Sequence, residues 1–328
     1  MANLMFPKYA IIAITLNCDA RCVMCNIWKN KIKDELSPEE YRKLPTTLRE
    51  INITGGEPFI RNDINEIVKN IKLACPKARL VISSNGHLIE KIESEMKKIL
   101  KIDPNIALRI SIDGTEEMHN KIRGMGYSYN RAMATIEKMK EIGVKDLGIG
   151  MTISSLNAHL LYDVFELSRK LGIEMTISVV IDSDIYFGQI DNKLKSYDFA
   201  VLEEQICRIA HKRLHSLRPK EWARAWFEGV LLDFIKDKKR PFRCNAGEGF
   251  FYMDSMGNIY SCPYIDNYIG NIKGVGSFEK LWNRPEREES ARIAKDCEKC
   301  WMVCTSKSQI SRRKIKIGVE ILIKRITG

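Results

Sequence analysis

The chain has 328 residues, 45% of them apolar, and a net charge of +11. A chain of this length buries one large core plus a small module. No apolar run approaches the ~20 residues that span a bilayer, which excludes a helical integral-membrane class. The opening MANLMFPKYA lacks the basic, apolar and small-residue order of a secretory signal, so the expected location is cytoplasmic.

Taken in chain order, Tyr9 to Thr15 (YAIIAIT) is an apolar run that reads as a buried strand. Ser37-Pro38-Glu39-Glu40 is a capping box with proline at the first helical position, so a helix is expected there. A strand at 50–54 follows. Ile64, Ile67, Val68 and Ile71 recur at helical spacing and predict an amphipathic helix over 63–74. Strands at 79–83, 108–112, 147–153 and 173–180 alternate with helices at 88–100, 128–142 and 157–171, the last two stopped by Gly143 and Gly172. Residues 181–195 are polar and aperiodic and read as a loop over the sheet edge. Residues 196–239 read as two helices with Pro219 at the break. The βα rhythm requires a parallel sheet with right-handed crossovers. Six units are too few for a closed eight-stranded barrel, so the expected fold is α/β: a partial (βα)6 TIM-like barrel over 1–195. A helical connector (196–240), a small α+β cysteine-containing module (241–305) and a basic tail (306–328) are expected to follow.

The ten cysteines cluster as 18/22/25 and 244/262/297/300/304, with Cys75 and Cys207 alone. Such grouping, without a secretory signal, points to Fe–S sites in a reducing compartment rather than to disulfides. The two lone cysteines are expected as small buried hydrophobes. Cys18, Cys22 and Cys25 sit in a loop just after the first strand. Three thiolates hold three irons of a [4Fe–4S] cube and leave the fourth open to a non-protein ligand.

The loop CDARCVMC (18–25) resembles the cluster loop of radical S-adenosylmethionine (SAM) enzymes. The likeness extends through Gly55-Gly56-Glu57-Pro58, Ser83-Ser84-Asn85-Gly86, Ser111-Ile112-Asp113-Gly114 and the strand Gly148 to Ile153, each at or after a strand's end. It implies that the open iron is chelated by SAM, which is cleaved reductively to a 5′-deoxyadenosyl radical that abstracts hydrogen. It also implies that Gly55, Gly56 and Glu57 receive the methionyl ammonium. Ser111 and Asp113 would contact the ribose or methionyl group, and Arg123 in HNKIRG would pair with the SAM carboxylate. Ser83 and Asn85 would line the rim, and the strand containing Gly150 would face the adenine. Met24 stands where the family usually has an aromatic residue against adenine.

Cys244-x12-Gly257-x4-Cys262, followed by Cys297-x2-Cys300, resembles the twitch form of the SPASM/twitch auxiliary module. The turn Asp254 to Asn258 between two strands reads as a hairpin. The resemblance implies a second [4Fe–4S] cluster on Cys244, Cys262, Cys297 and Cys300, with Cys304 as an alternative ligand; tetrahedral zinc is the rival reading.

The expected reaction is oxidation or modification of a small-molecule or sugar-type substrate, with the auxiliary cluster as electron acceptor. The alternatives are ribosomal peptide maturation, or lipid or polyprenoid modification at a membrane. Asp182, Asp184 and Tyr186, after the sixth strand, are the candidate general bases. A flavodoxin or ferredoxin is the expected reductant. Residues 307–328 carry seven basic residues and one acidic, which allows contact with an anionic membrane. This tail alternates like a strand at 314–320, yet places Val319, Leu322, Ile323 and Ile326 on one helix face. Nucleic acid is disfavoured, because aromatic residues do not interleave with the basic ones. His211 and His215 lie four apart and are expected on a solvated helix face.

Overall fold

The computed structural model describes residues 6–30, 34–183, 185–188 and 193–327. Six parallel strands form its centre: β1 (Tyr9–Thr15), β2 (Glu50–Gly55), β3 (Arg79–Ser84), β4 (Ala107–Ser111), β5 (Asp146–Ile153) and β6 (Glu174–Val179). Between them lie α1 (Ile64–Ala74), α2 (Ile89–Ile102), α3 (Glu116–Arg123), α4 (Ser128–Glu141) and α5 (Leu161–Lys170). Then come α6 (Phe199–Leu214), α7 (Pro219–Asp237), β7 (Phe250–Met253), β8 (Asn258–Tyr260), β9 (Tyr268–Asn271), α8 (Phe278–Trp282), α9 (Pro285–Lys295), α10 (Val303–Arg312) and α11 (Lys314–Thr327).

The strand order is β6-β5-β4-β3-β2-β1-β7-β8-β9 in one nine-stranded sheet, with β6 and β9 at its edges. The register carries aliphatic side chains across neighbouring strands: Ile12 opposite Ile53, Ile53 opposite Ile82, Ile82 opposite Leu108 and Leu108 opposite Leu147. β1 is apolar throughout because both its faces are buried. Ala10, Ile12 and Ile14 pack into the main core. Ile11 and Ala13 belong to a second, smaller cluster with Tyr186 and Tyr252.

The partial α/β barrel architecture matches the expectation. The predicted hairpin is present as β7–β8, and it extends the main sheet, because β7 pairs in parallel with β1. Asp254 holds the turn by accepting from the amides of Met256 and Asn258, each at 2.9 Å. Four readings need correction. Pro38–Lys43 is a 3-10 turn rather than a full α-helix, and the Ser37 side chain makes no capping bond. α3 was not anticipated, because eight mostly polar residues carry too little periodicity. The ambiguous tail is helical. Cys75 is buried, but Cys207 is exposed, on the outer face of α6.

Candidate iron–sulfur and nucleotide site

The cysteine loop runs from the C-terminal end of β1, and three neighbours hold it by backbone bonds. Arg21 N donates to Arg123 O at 3.0 Å and Val23 N to Ile122 O at 2.9 Å, so the loop satisfies carbonyls that the last turn of α3 leaves open. Asn26 N donates to Phe187 O at 2.9 Å, and its side chain to Gly188 O at 3.0 Å. On the β2 side, Gly56 N donates to Thr15 O and Glu57 N to Asn17 O, at 2.8 and 2.9 Å. A Cβ at Gly55 would lie 2.0 Å from Thr15 O, and one at Gly56 2.1 Å from Asn17 O. Both glycines are therefore needed for the strand end to touch the cysteine loop. The amides of Gly56 and Glu57 are used there, and an ammonium requires the remaining carbonyl acceptors.

Glu57 is fully buried. Its Oε1 accepts from Phe59 N at 3.1 Å and Ser84 Oγ at 2.9 Å, and its Oε2 accepts from Asn85 N at 2.7 Å. Burial pushes its carboxyl up to about 7, against the pull of these donors. Asn85 turns its side-chain amide to Asp19 Oδ1 at 2.6 Å, inside the cysteine loop. Ser83 and Ser111 are half-buried at the same strand ends, and Met24 is half-buried in the loop. A Cβ at Gly150 would meet open space.

Asp113 and Arg123 face each other. Arg123 Nε and Nη2 both reach Asp113 Oδ2 at 2.6 Å, while Asp113 Oδ1 accepts from Thr152 N at 3.0 Å. Arg123 Nη1 lies 3.7 Å from Cys22 Sγ. Asp113 thus gives its carboxylate to protein donors and fixes the guanidinium beside the cysteines.

A buried chain of groups missed at the sequence level ties the same two strand ends together. Asp113 N donates to His119 Nδ1 at 3.0 Å, which fixes the proton of the neutral imidazole on Nε2. That nitrogen lies 2.8 Å from Ser128 Oγ, which in turn is 2.6 Å from His87 Nε2. His87 Nδ1 faces Asp19 Oδ2 at 3.5 Å. Burial, followed by the charge of Arg123, holds the His119 imidazole down to about 2, so it stays neutral. Histidines and a serine scattered over 41 positions carry no local signal; only the tertiary fold brings them together.

The donor set suits a metal cluster. Burial pushes the thiols of Cys18, Cys22 and Cys25 upward, the last to about 12. Such thiols lose their protons when a metal replaces them. The second set behaves alike: Cys244 is pushed up to about 11 and Cys262 and Cys300 also upward, in each case mainly by burial, and these sulfurs lie within electrostatic reach of one another and of Cys297. Arg240, buried and unforeseen, places Nη1 3.4 Å from Cys300 Sγ. Cys304, like Cys18 and Cys25, packs against the inner cluster that contains Tyr186 and Tyr252, and it lies within electrostatic reach of Cys300. Among the described residues, no three His, Cys, Asp or Glu side chains meet closely enough to hold a single metal ion.

Of the candidate bases, Asp182 pairs with Lys195. Tyr186 is buried; its hydroxyl lies 2.7 Å from Thr54 Oγ1 and donates to Gly55 O at 3.1 Å. Asp184 lies outside the described residues. His211 and His215 are exposed on α6, as expected, with ring centroids 4.3 Å apart.

Residues 12–157 match the family model of the radical SAM superfamily. The chain carries a radical SAM domain over that stretch. A probable GTP 3′,8-cyclase of Methanococcus aeolicus is 29% identical over 71% of this chain and 78% of its own. The mycofactocin maturase MftC of Mycolicibacterium smegmatis is 24% identical over 88% of this chain and 73% of its own, so that likeness reaches the second cysteine set. The solved structure of native anSMEcpe with bound AdoMet and the Cp18Cys peptide superposes with a TM-score of 0.66 at 16% identity, covering 96% of this chain and 99% of that one. The radical SAM family uses a [4Fe–4S] cluster with AdoMet, and the second, cysteine-rich region fits an auxiliary cluster. No helix among the described residues is long and apolar enough to cross a membrane.

Proposed function

We propose that this radical SAM enzyme abstracts hydrogen from a hydroxyl- or amide-bearing substrate and passes the resulting electron to a second cluster. The observation that carries the reading is the inner aromatic cluster, against which cysteines of both groups pack. Tyr186 and Tyr252 lie there with ring centroids 5.5 Å apart, in a cluster against which Cys18, Cys25 and Cys304 all pack. The fully buried Tyr252 hydroxyl has no hydrogen-bond partner among the described residues, so a polar substrate group would remove that cost.

Cys18, Cys22 and Cys25 would hold the SAM-binding cluster, and Cys244, Cys262, Cys297 and Cys300 the auxiliary one. Bound SAM supplies the radical that abstracts hydrogen. The chain's own residues orient the reactants: Arg123, held by Asp113, presents its fork toward a carboxylate, and the carbonyls at Gly55 and Gly56 accept an ammonium. Gly150 would give room for a flat ring, with Met24, Ser83, Asn85 and Ser111 as the further proposed contacts of the nucleotide. Tyr186 is buried, and its hydroxyl, bonded to Gly55 O, holds the β2 edge. Asp182 is tied to Lys195 and is a weaker candidate base.

A small-molecule or sugar-type substrate is the first reading. A peptide is the second, favoured by the likeness to the mycofactocin maturase over nearly the whole chain. A flavodoxin or ferredoxin is the proposed reductant. The test is anaerobic incubation of reconstituted protein with SAM and dithionite. Wild type should release 5′-deoxyadenosine, Cys18→Ala should release none, and Cys300→Ala should still cleave SAM. Loss of cleavage in neither variant, or no cleavage by wild type, overturns the reading.

A further inference from the structure

Helix α11 is apolar on two opposite sides. Ile317 and Ile321 are buried against the body, and Glu320 accepts the indole N–H of Trp226 at 2.8 Å. The other side leaves Ile315, Val319, Leu322 and Ile323 exposed, at 88, 52, 52 and 55%. At helical spacing these four fall within about 100° of arc, a continuous stripe. The fourth residue of the predicted face, Ile326, has its side chain outside the described residues.

The rim of this stripe is cationic. Lys314 and Arg325 border it on one side and Lys316 on the other, with Arg312 in the turn before; all four are exposed. The one acidic residue of the helix, Glu320, is the one turned inward to Trp226. Arg325 lies 3.9 Å from the centroid of the Trp222 ring, which fixes the helix against the first residues of α7, just after the turn between α6 and α7. In that turn Leu217 is 92% exposed beside Arg218. Trp222, which donates its indole N–H to Ser216 O, thus brings this turn close to the C-terminal end of α11.

We propose that α11 and the Leu217 turn dock on an anionic membrane surface. Apolar residues would enter the headgroup boundary while the flanking cations meet lipid phosphates and carboxylates, the arrangement of an interfacial helix. A second copy fits poorly. Four side chains and a leucine fall well short of the roughly 800 Å² per partner of a stable dimer, and two cationic rims repel each other.

The test is co-sedimentation of the cluster-loaded full chain with vesicles of phosphatidylcholine containing about one-third phosphatidylserine, against phosphatidylcholine alone. Wild type should sediment with the anionic vesicles, and less so as salt rises. Leu322→Glu combined with Ile323→Glu, and separately Lys314→Gln combined with Lys316→Gln, should each weaken partitioning by roughly tenfold or more, with unchanged iron content and circular dichroism. Wild type left in the supernatant overturns the proposal, whether it is a monomer or a dimer that the glutamate variant dissolves. So do variants that sediment as wild type does.

Discussion

Arg123 addresses Asp113 side-on, with Nε and Nη2 both 2.6 Å from Oδ2 and Nη1 turned toward Cys22 Sγ at 3.7 Å. One carboxylate at the end of β4 thereby aims a buried cation at the cysteine loop. The loop in turn rests on the carbonyls of Ile122 and Arg123. Cluster loop, guanidinium and sheet edge form one mechanical unit.

Removing one partner of that pair leaves an uncompensated buried charge. Asp113→Asn should therefore destabilise the fold by about 3–5 kcal/mol in denaturant titration. Arg123→Lys keeps the charge and loses the fork. It should weaken SAM binding about tenfold, read by equilibrium titration of the iron-loaded protein, with a far smaller loss of stability. Unchanged SAM affinity in Arg123→Lys would remove the arginine from the binding site.

Glu57 makes stability depend on pH in a stated direction. Burial raises its carboxyl from 4.5 to about 7. Between these values the folded state binds more protons than the unfolded one, so unfolding free energy falls as pH rises. The contribution is full below 4.5 and is lost as pH passes about 7. Glu57→Gln should remove this slope. Denaturation midpoints of wild type and variant across that window provide the measurement, and parallel curves would refute it.

Four of the five C-terminal cysteines, Cys244, Cys262, Cys297 and Cys300, are the proposed ligands of the auxiliary cluster, with Cys304 as the alternative. Cys304 packs against the inner aromatics and lies within electrostatic reach of Cys300, which is also in reach of Cys244, Cys262 and Cys297. Cys304→Ala should retain about eight irons per reconstituted chain, and Cys300→Ala about four. Similar iron loss in both variants would make Cys304 a ligand.

Much of this was legible in the sequence because the signals are local. The run 9–15, the βα rhythm and the C-x3-C-x2-C spacing each lie within a short window, and each marks a strand end where a parallel sheet gathers its site. What stayed hidden depends on contacts between distant positions. The motif at Asp113 does not show that Arg123 and Thr152, from two other elements, donate to its carboxylate. The path from Asp19 through His87 and Ser128 to His119 spans four elements, and none of its members belongs to a periodic pattern. The parallel pairing of β7 with β1 joins residues some 240 positions apart, which the hairpin signature cannot convey.

Arg240 makes the same point and yields a separable test. It is buried, lies 5.5 Å from the centroid of the Trp301 ring, donates to Gln309 Oε1 at 3.0 Å and approaches Cys300 Sγ at 3.4 Å. A fixed positive charge beside a cluster ligand stabilises the reduced state, because the added electron is closer to that charge than to solvent. Arg240→Gln should lower the midpoint potential of the auxiliary cluster by roughly tens of millivolts. The signal of a Cys18/Cys22/Cys25 triple alanine background isolates that cluster in an electron paramagnetic resonance titration. A purely structural arginine predicts a different result: loss of iron in Arg240→Gln, with the potential of the remaining clusters unmoved.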